Sequence, residues 1–226
     1  MEIRAIIFDF NGVLVDDEPV HFRAFQQTMQ KEGLDLDWEE YREKYLPYDD
    51  HNLFVHFLKD RNRTGSTQDL ERLIQVKSRH YFLAIGEEAP TIPSSITFVN
   101  GLASTVAVAI ASGAARQEIE FILDQLQLRQ RFSPIIAASD VEQGKPHPEA
   151  FLKALEGLQK MDPSLEPEQV IVIEDSYRGV DSAHQAGLQC VALSTTYPSA
   201  RLSEADLVVE TLAGWSLEQL AERLGN

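Results

Sequence analysis

Ala5-Ile6-Ile7-Phe8-Asp9-Phe10-Asn11-Gly12-Val13-Leu14-Val15-Asp16 is the stretch on which the fold turns. Its opening, over residues 3–8, is an apolar run with no alternating solvent-facing side, the pattern of a strand buried on both faces of a parallel sheet. The run stops at an acid, Asp9. Four more apolar runs lie at 106–111, 135–138, 170–173 and 190–193. Between the later runs, apolar residues keep helical spacing. Ile119, Ile122, Leu123 and Leu126 form one stripe, and Phe151, Leu152, Leu155 and Leu158 form another, opened by Pro148 in its first turn. A third helix covers 178–186 and is closed by Gly187. This alternation predicts right-handed crossovers and an α/β fold built on a doubly wound parallel sheet.

Residues 16–88 break the alternation. Phe22, Phe25 and Met29 share one helical stripe and Leu70, Leu73, Ile74 and Tyr81 another, with no comparable β-branched run, so an all-helical insertion follows the first strand. The stretch 86–95, with Pro90 and Pro93, reads as the returning linker. The expected organisation is a core of residues 1–15 and 89–226 carrying a helical cap of residues 16–88. Both linkers then fall beside the carboxyl end of the first strand, the natural place for a hinged lid.

In 226 residues, 43% hydrophobic and 25% charged, there is enough apolar material for a core that folds without staples. Lys plus Arg number 20 against 36 for Asp plus Glu, giving a formal charge of −16. A field of that sign repels nucleic-acid backbones and anionic lipid, which argues against both as partners. It also makes an anionic substrate depend on a metal ion or a few placed cations. The single cysteine, Cys190, permits no intrachain disulfide and reads as a small core residue of a reducing compartment. No secretory signal or membrane span is legible, and a cytoplasmic monomer is expected.

Four of the apolar runs end on short polar residues: Asp9, Ser112, Ser139-Asp140 and Glu174-Asp175. In a parallel sheet those ends share one edge, where open α/β folds bind ligands. Taken singly, each is a cap or turn residue, and Ser139 and Asp140 are read that way. Asp9 with Glu174 and Asp175 is not, because acids gathered on one edge repel each other unless a cation neutralises them. Mg²⁺ suits such oxygen donors, since it takes one or two carboxylates and leaves other positions to water and phosphate. Lys145, within Gly144-Lys145-Pro146-His147-Pro148, supplies a positive charge, and Ser112-Gly113-Ala114 a hydroxyl and a turn at a helix start. Together they make a phosphate pocket.

These motifs resemble those of the haloacid dehalogenase-like phosphohydrolases, in particular the branch of β-phosphoglucomutase and its phosphatase relatives. The resemblance covers nearly the whole chain: 9–16 is similar to the first motif, Ala111-Ser112-Gly113 to the second, Gly144-Lys145-Pro146 to the third and Ile173-Glu174-Asp175-Ser176 to the fourth. It implies a Rossmann-like core with an inserted helical cap, and chemistry through an aspartyl-phosphate. Asp9 would be the nucleophile, Ser112 and Lys145 the phosphoryl ligands with Gly113 and Ala114 beside them, and Asp175 a direct Mg²⁺ ligand. Glu174 would act through water, and the backbone carbonyl of Asn11 would complete the metal site. His21 and His51 are the candidates to face substrate from the cap.

One position departs from the family. Where the first motif normally carries a second aspartate, this chain has Asn11. An amide cannot act as general acid to a leaving alkoxide or as general base to water, a role worth roughly 10²–10⁴ in rate. The reading is a Mg²⁺-dependent phosphohydrolase acting on a small phosphorylated metabolite, a sugar phosphate among the candidates. A phosphosugar mutase is the nearest enzymatic alternative, and it needs acid/base help at position 11 in both halves of its reaction. The alternative from a different class is a catalytically impaired phosphate-binding or regulatory protein.

Overall fold

The computed structural model describes residues 2–46, 48–86 and 90–225. The chain divides into two compact units, residues 1–16 with 90–226, and residues 17–89.

The larger unit is a parallel sheet flanked by helices. In chain order its elements are β1 (Ala5–Phe8), α5 (Pro93–Gly101), β2 (Ala107–Ala111), α6 (Arg116–Gln125), β3 (Ile135–Ile136), α7 (Glu149–Met161), β4 (Val170–Glu174), α8 (Tyr177–Gln185), β5 (Gln189–Leu193), β6 (Leu207–Val209) and α9 (Leu217–Leu224). The strands lie in the order β3-β2-β1-β4-β5-β6, every neighbouring pair parallel. This is a doubly wound α/β sheet whose order reverses at β1, so the crevice of the switch point opens at the ends of β1 and β4. Register places Phe8 opposite Ile173, which sets the residues after them, Asp9 and Glu174, side by side.

Both sheet faces are covered. Ala5, Ile7, Ala109, Val172, Cys190 and Ala192 pack with Phe151, Leu155 and Leu158 of α7 in one cluster. Ile6, Phe8, Val108, Ile110, Ile171 and Ile173, the alternate positions, are buried as well. Uninterrupted apolar strands are the direct result of this two-sided burial.

Three sequence expectations change. β6 adds a sixth strand; three residues between Asp206 and Glu210 are too few to stand out as an apolar run. The run at 135–138 is a strand only over Ile135–Ile136, because Ala138–Asp140 turns in a 3₁₀ helix. There Asp140 accepts the Ala137 N–H at 2.7 Å and pairs with Arg116, the turn role expected of it. In the expected linker, residues 87–89 lie outside the described residues. Pro93 already opens α5, where a missing N–H and a fixed φ favour the first turn of a helix.

The smaller unit is all helical, with α1 (Glu18–Lys31), α2 (Trp38–Lys44), α3 (Asp50–Asp60) and α4 (Thr67–Ile85). Phe25 anchors its core, its ring centroid 4.7 Å from that of Phe54 and 5.1 Å from that of Phe57, with Met29, Leu70 and Leu73 in the same cluster. Side-chain caps set the starts: Asp37 accepts from Glu40 N, Asp49 from Asn52 N, and Ser66 forms a reciprocal capping box with Asp69. Among the described residues no helix is long and apolar enough to cross a membrane.

Candidate active site

Asp9 follows β1 directly, its backbone N–H donating to the Ile173 carbonyl at 2.9 Å, which ties the start of the first motif to β4. Glu174 is the last residue of β4 and Asp175 the next, and one carboxylate oxygen from each of Asp9, Glu174 and Asp175 lies within 4.8 Å of the others. Lys145 comes from the loop before α7. Its Nζ is 3.0 Å from Asp9 Oδ1 and 2.6 Å from Glu174 Oε1, and it sits 4.8 Å over the Phe151 ring. All four side chains are largely buried. Glu174 is the most fully bound of the acids: its Oε2 accepts the N–H groups of Asp175 and Ser176 at 2.8 Å and the Ser176 hydroxyl at 3.0 Å.

The electrostatics follow from three carboxyls sharing one ammonium. Burial pushes Asp9 up to about 6, against the pull of Lys145 and with the help of Glu174. Burial, then Glu174 and Asp9, drives Asp175 well above the usual carboxylate range. Burial would raise Glu174 too, but Lys145 and the surrounding donors overrule it and hold Glu174 low. Lys145 is itself held above the ordinary lysine range by Asp9 and Glu174, which outweigh its burial. Asp9 Oδ1 has the charge contact with Lys145 but no hydrogen bond of good geometry, so a buried anionic oxygen keeps coordinating capacity. Clustered hard oxygen donors with surplus negative charge fit a divalent cation of the Mg²⁺ type.

A family model of haloacid dehalogenase-like hydrolases matches residues 3–187. The chain belongs to that family. Among its relatives, the phosphorylated carbohydrates phosphatase of Thermotoga maritima is 26% identical over 187 residues, 83% of either chain. A solved structure of a CbbY variant from Rhodobacter sphaeroides, in complex with xylulose-(1,5)bisphosphate, superposes with a TM-score of 0.84 at 25% identity, covering 96% of this chain and 99% of that one. β-Phosphoglucomutase from Clostridium difficile is similar to the same degree, with a TM-score of 0.83, 25% identity and coverage of 99% and 97%.

In this haloacid dehalogenase-like hydrolase the remaining sequence candidates fall as follows. Ser112 follows β2, buried, at the edge that carries Asp9; its N–H donates to Ile136 O and its Oγ accepts from Ala114 N at 3.2 Å. Gly113 and Ala114 form the turn that leads to α6. Asn11 lies in a tight return in which Gly12 N donates to Val15 O at 2.7 Å. His21 and His51 belong to the helical unit. His21 stacks on Tyr81 at 4.3 Å, with Nε2 3.2 Å from Asp17 and Nδ1 2.6 Å from Lys77 Nζ. His51 is exposed in the first turn of α3, which Asp49 caps. Cys190 is buried within β5, and burial drives its thiol well above the ordinary range, in keeping with a core role.

Two threonines complete the edge. Ser194-Thr195-Thr196 follows β5 as Ser112 follows β2, so the strand-end rule that marked the other polar residues extends to them. Thr195 Oγ1 donates to Gly12 O at 2.5 Å, and the Thr196 hydroxyl lies on the same side of Gly12 as the Asp175 carboxylate and pulls its pKa down against burial. Gly12 makes room for both contacts. At its φ of +72° an added Cβ would collide with Asp175 Oδ2 and lie 2.7 Å from Thr196 Oγ1. Gly179 does the same for Glu174, whose Oε1 would collide with a Cβ there. One face of α8 also holds the lysine loop. Arg178 donates to Lys145 O, Gln185 to Pro146 O and Ser182 to His147 O.

Were Asp175 to ligate Mg²⁺, Thr196→Val, which keeps the shape and deletes the hydroxyl, would weaken that binding about 10-fold or more, as loss of a ligand's outer partner does. Thr196→Ser should restore it. Calorimetric titration with Mg²⁺ reads the effect, and equal affinity in the valine variant would make the contact incidental.

Proposed function

We propose that this hydrolase is a phosphatase, removing the phosphoryl group of a small phosphorylated metabolite through an aspartyl-phosphate on Asp9. The observation that carries the reading is the buried set Asp9, Glu174, Asp175 and Lys145 at the switch point of the sheet. Asp9 and Asp175 would hold Mg²⁺ with the Asn11 carbonyl, and Glu174 would act through water. The bound ion supplies charge neutralisation to the phosphoryl oxygens.

Asp9 attacks phosphorus, dividing one displacement into two. Lys145 and Ser112 take the equatorial oxygens, where most of the charge gathers in phosphoryl transfer. Lys145 is well placed for this, because the two carboxylates that keep it charged also keep it beside the nucleophile. The helical unit would serve as the cap, with the exposed His51 as its substrate-facing candidate and His21 held by Asp17 and Lys77, and sugar phosphates are the substrates the relatives' names suggest.

A panel of phosphorylated metabolites, assayed for inorganic phosphate with Mg²⁺ and with a chelator, tests the reading. Release that depends on Mg²⁺ is expected. Release from no substrate, or release indifferent to chelation, would overturn it. The similarity to β-phosphoglucomutase keeps a mutase as the second reading, and a sugar bisphosphate among the products would identify it.

A further inference from the structure

Deprotonated alcohols are poor leaving groups, so a phosphatase that acts on their esters needs an acid within reach of the bridging oxygen. In the core unit each titratable side chain of the cluster already has a task. Asp9 is the attacking group, Lys145 lies between Asp9 and Glu174, Glu174 is saturated by Lys145, two N–H groups and a hydroxyl, and Asp175 is taken by the metal in that reading. The residue two positions beyond the nucleophile, Asn11, carries an amide with no titrating proton.

The helical unit's groups nearest the linker are bound inside that unit. Asp17 accepts the Tyr81 hydroxyl and faces His21 Nε2, and His21 Nδ1 meets the Lys77 ammonium. Glu18 accepts the Tyr41 hydroxyl, and Asp50 lies 2.8 Å from Lys77 Nζ. Releasing any of them would break one of these contacts.

We infer that this site takes its phosphoryl group from a donor whose leaving group departs as a stabilised anion, an acyl phosphate above all. The inference rests on the phosphatase reading of Asp9 and sets its substrate class apart from the sugar esters that the relatives' names suggest. In the first step an Asp9 oxygen bonds to phosphorus, the bond from phosphorus to the acyl oxygen breaks, and the electron pair leaves on a carboxylate. That carboxylate's conjugate acid titrates near about 4, so no proton is needed. Donor and product are both acyl phosphates, which keeps the step close to balanced in free energy, whereas transfer from an alcohol ester to a carboxylate runs uphill. In the second step water oxygen bonds to phosphorus, the pair of the breaking bond returns to Asp9, and the proton of water ends on the phosphate product. With no base at position 11 that step is slow, and the phosphorylated protein accumulates.

A leaving-group series tests this: acetyl phosphate, p-nitrophenyl phosphate, phenyl phosphate and glycerol phosphate, each with Mg²⁺, in the natural chain and in Asn11→Asp. Expected is a fall of about 10²–10⁴ in the rate of the first step, phosphorylation of the protein followed by intact mass, from the first donor to the last in the natural chain, the range an acid catalyst supplies. Acetyl phosphate should give an initial burst of one phosphoryl group per chain, seen by intact mass. Asn11→Asp should narrow the spread at least tenfold by accelerating glycerol phosphate. A flat series in the natural chain, or an unchanged spread in Asn11→Asp, would overturn the substrate class while leaving the phosphatase reading standing. Should the variant fail to fold, the slope in the natural chain decides alone. No phosphorylation and no turnover from any donor in either protein would overturn both.

Discussion

Asp9→Asn is expected to abolish covalent phosphoryl incorporation and, at the same time, to raise the thermal midpoint of the metal-free protein. The two effects share a cause. A nucleophile in a buried acidic cluster is ionised at a cost, and burial already lifts its carboxyl from 3.8 to about 6. A carboxyl raised on folding contributes stability that is fully present below its unfolded value and is lost as pH rises through the folded one. Metal-free protein at pH 7 therefore carries a penalty on the order of 3 kcal/mol at this residue, at about 1.36 kcal/mol per pH unit. The substitution relieves that penalty, and part of the relief is offset because Lys145 loses the charge of one of its two partners. A net gain of about 1–2 kcal/mol, at about 2–4 °C for each, is the expected shift. The gain should vanish as pH falls from about 6 toward 3.8, where the natural carboxyl is protonated too. Mg²⁺ should stabilise the natural protein by mass action, about 2.7 kcal/mol at a hundredfold excess over Kd, and the variant far less. Calorimetry with and without Mg²⁺ measures the stability arm, and mass analysis after acetyl phosphate the chemical one. Phosphorylation that persists in Asp9→Asn would remove Asp9 as nucleophile.

Lys145→Ala is expected to act in the opposite sense on stability, and more strongly. Without the ammonium, Glu174 keeps its backbone and hydroxyl donors but loses its counter-charge in a fully buried position. Breaking a buried pair from one side costs about 3–5 kcal/mol. The pH dependence supplies the check. In the natural protein Glu174 is held below its ordinary value, so its contribution is present at neutral pH and lost in acid. In the variant the same carboxyl, buried and unpaired, moves upward, so acidification should stabilise the variant relative to its own value at pH 7. Denaturant unfolding at pH 5 and pH 7 reads both. A variant within about 1 kcal/mol of the natural protein at pH 7, by the same scale for buried pairs, would show that the pair contributes little. Lys145→Arg should recover more of the stability than of the phosphate affinity, because a guanidinium keeps the charge but not the compact shape of the ammonium.

The doubly wound sheet was legible in residues 5–8, 170–173 and 190–193 because strands covered on both faces must be apolar at every position. The same rule placed Asp9 and Glu174-Asp175 at strand ends, and a parallel arrangement alone puts such ends on one edge. β6 escaped because an edge strand of three residues needs little apolar length. The start of α3 carries no apolar signal in Tyr48-Asp49-Asp50-His51, and only the Asp49 cap and the packing of Leu53 and Phe54 decide for helix.

Residue order alone specifies the kind of fold and the chemical character of its edge: which residues must be buried, and which acids, hydroxyls and cation gather at the strand ends. Tertiary structure decided the contacts among them. That Thr196 reaches Asp175, that Gly12 and Gly179 leave the space two carboxylates occupy, and that α8 collects three successive carbonyls of the lysine loop all depend on the register of β1, β4 and β5. Residue type records a preference for burial or for water, which is local and survives in the sequence. A hydrogen bond between Thr195 and Gly12 instead depends on ångström-scale positions across more than half the chain, and those exist only once the sheet has closed.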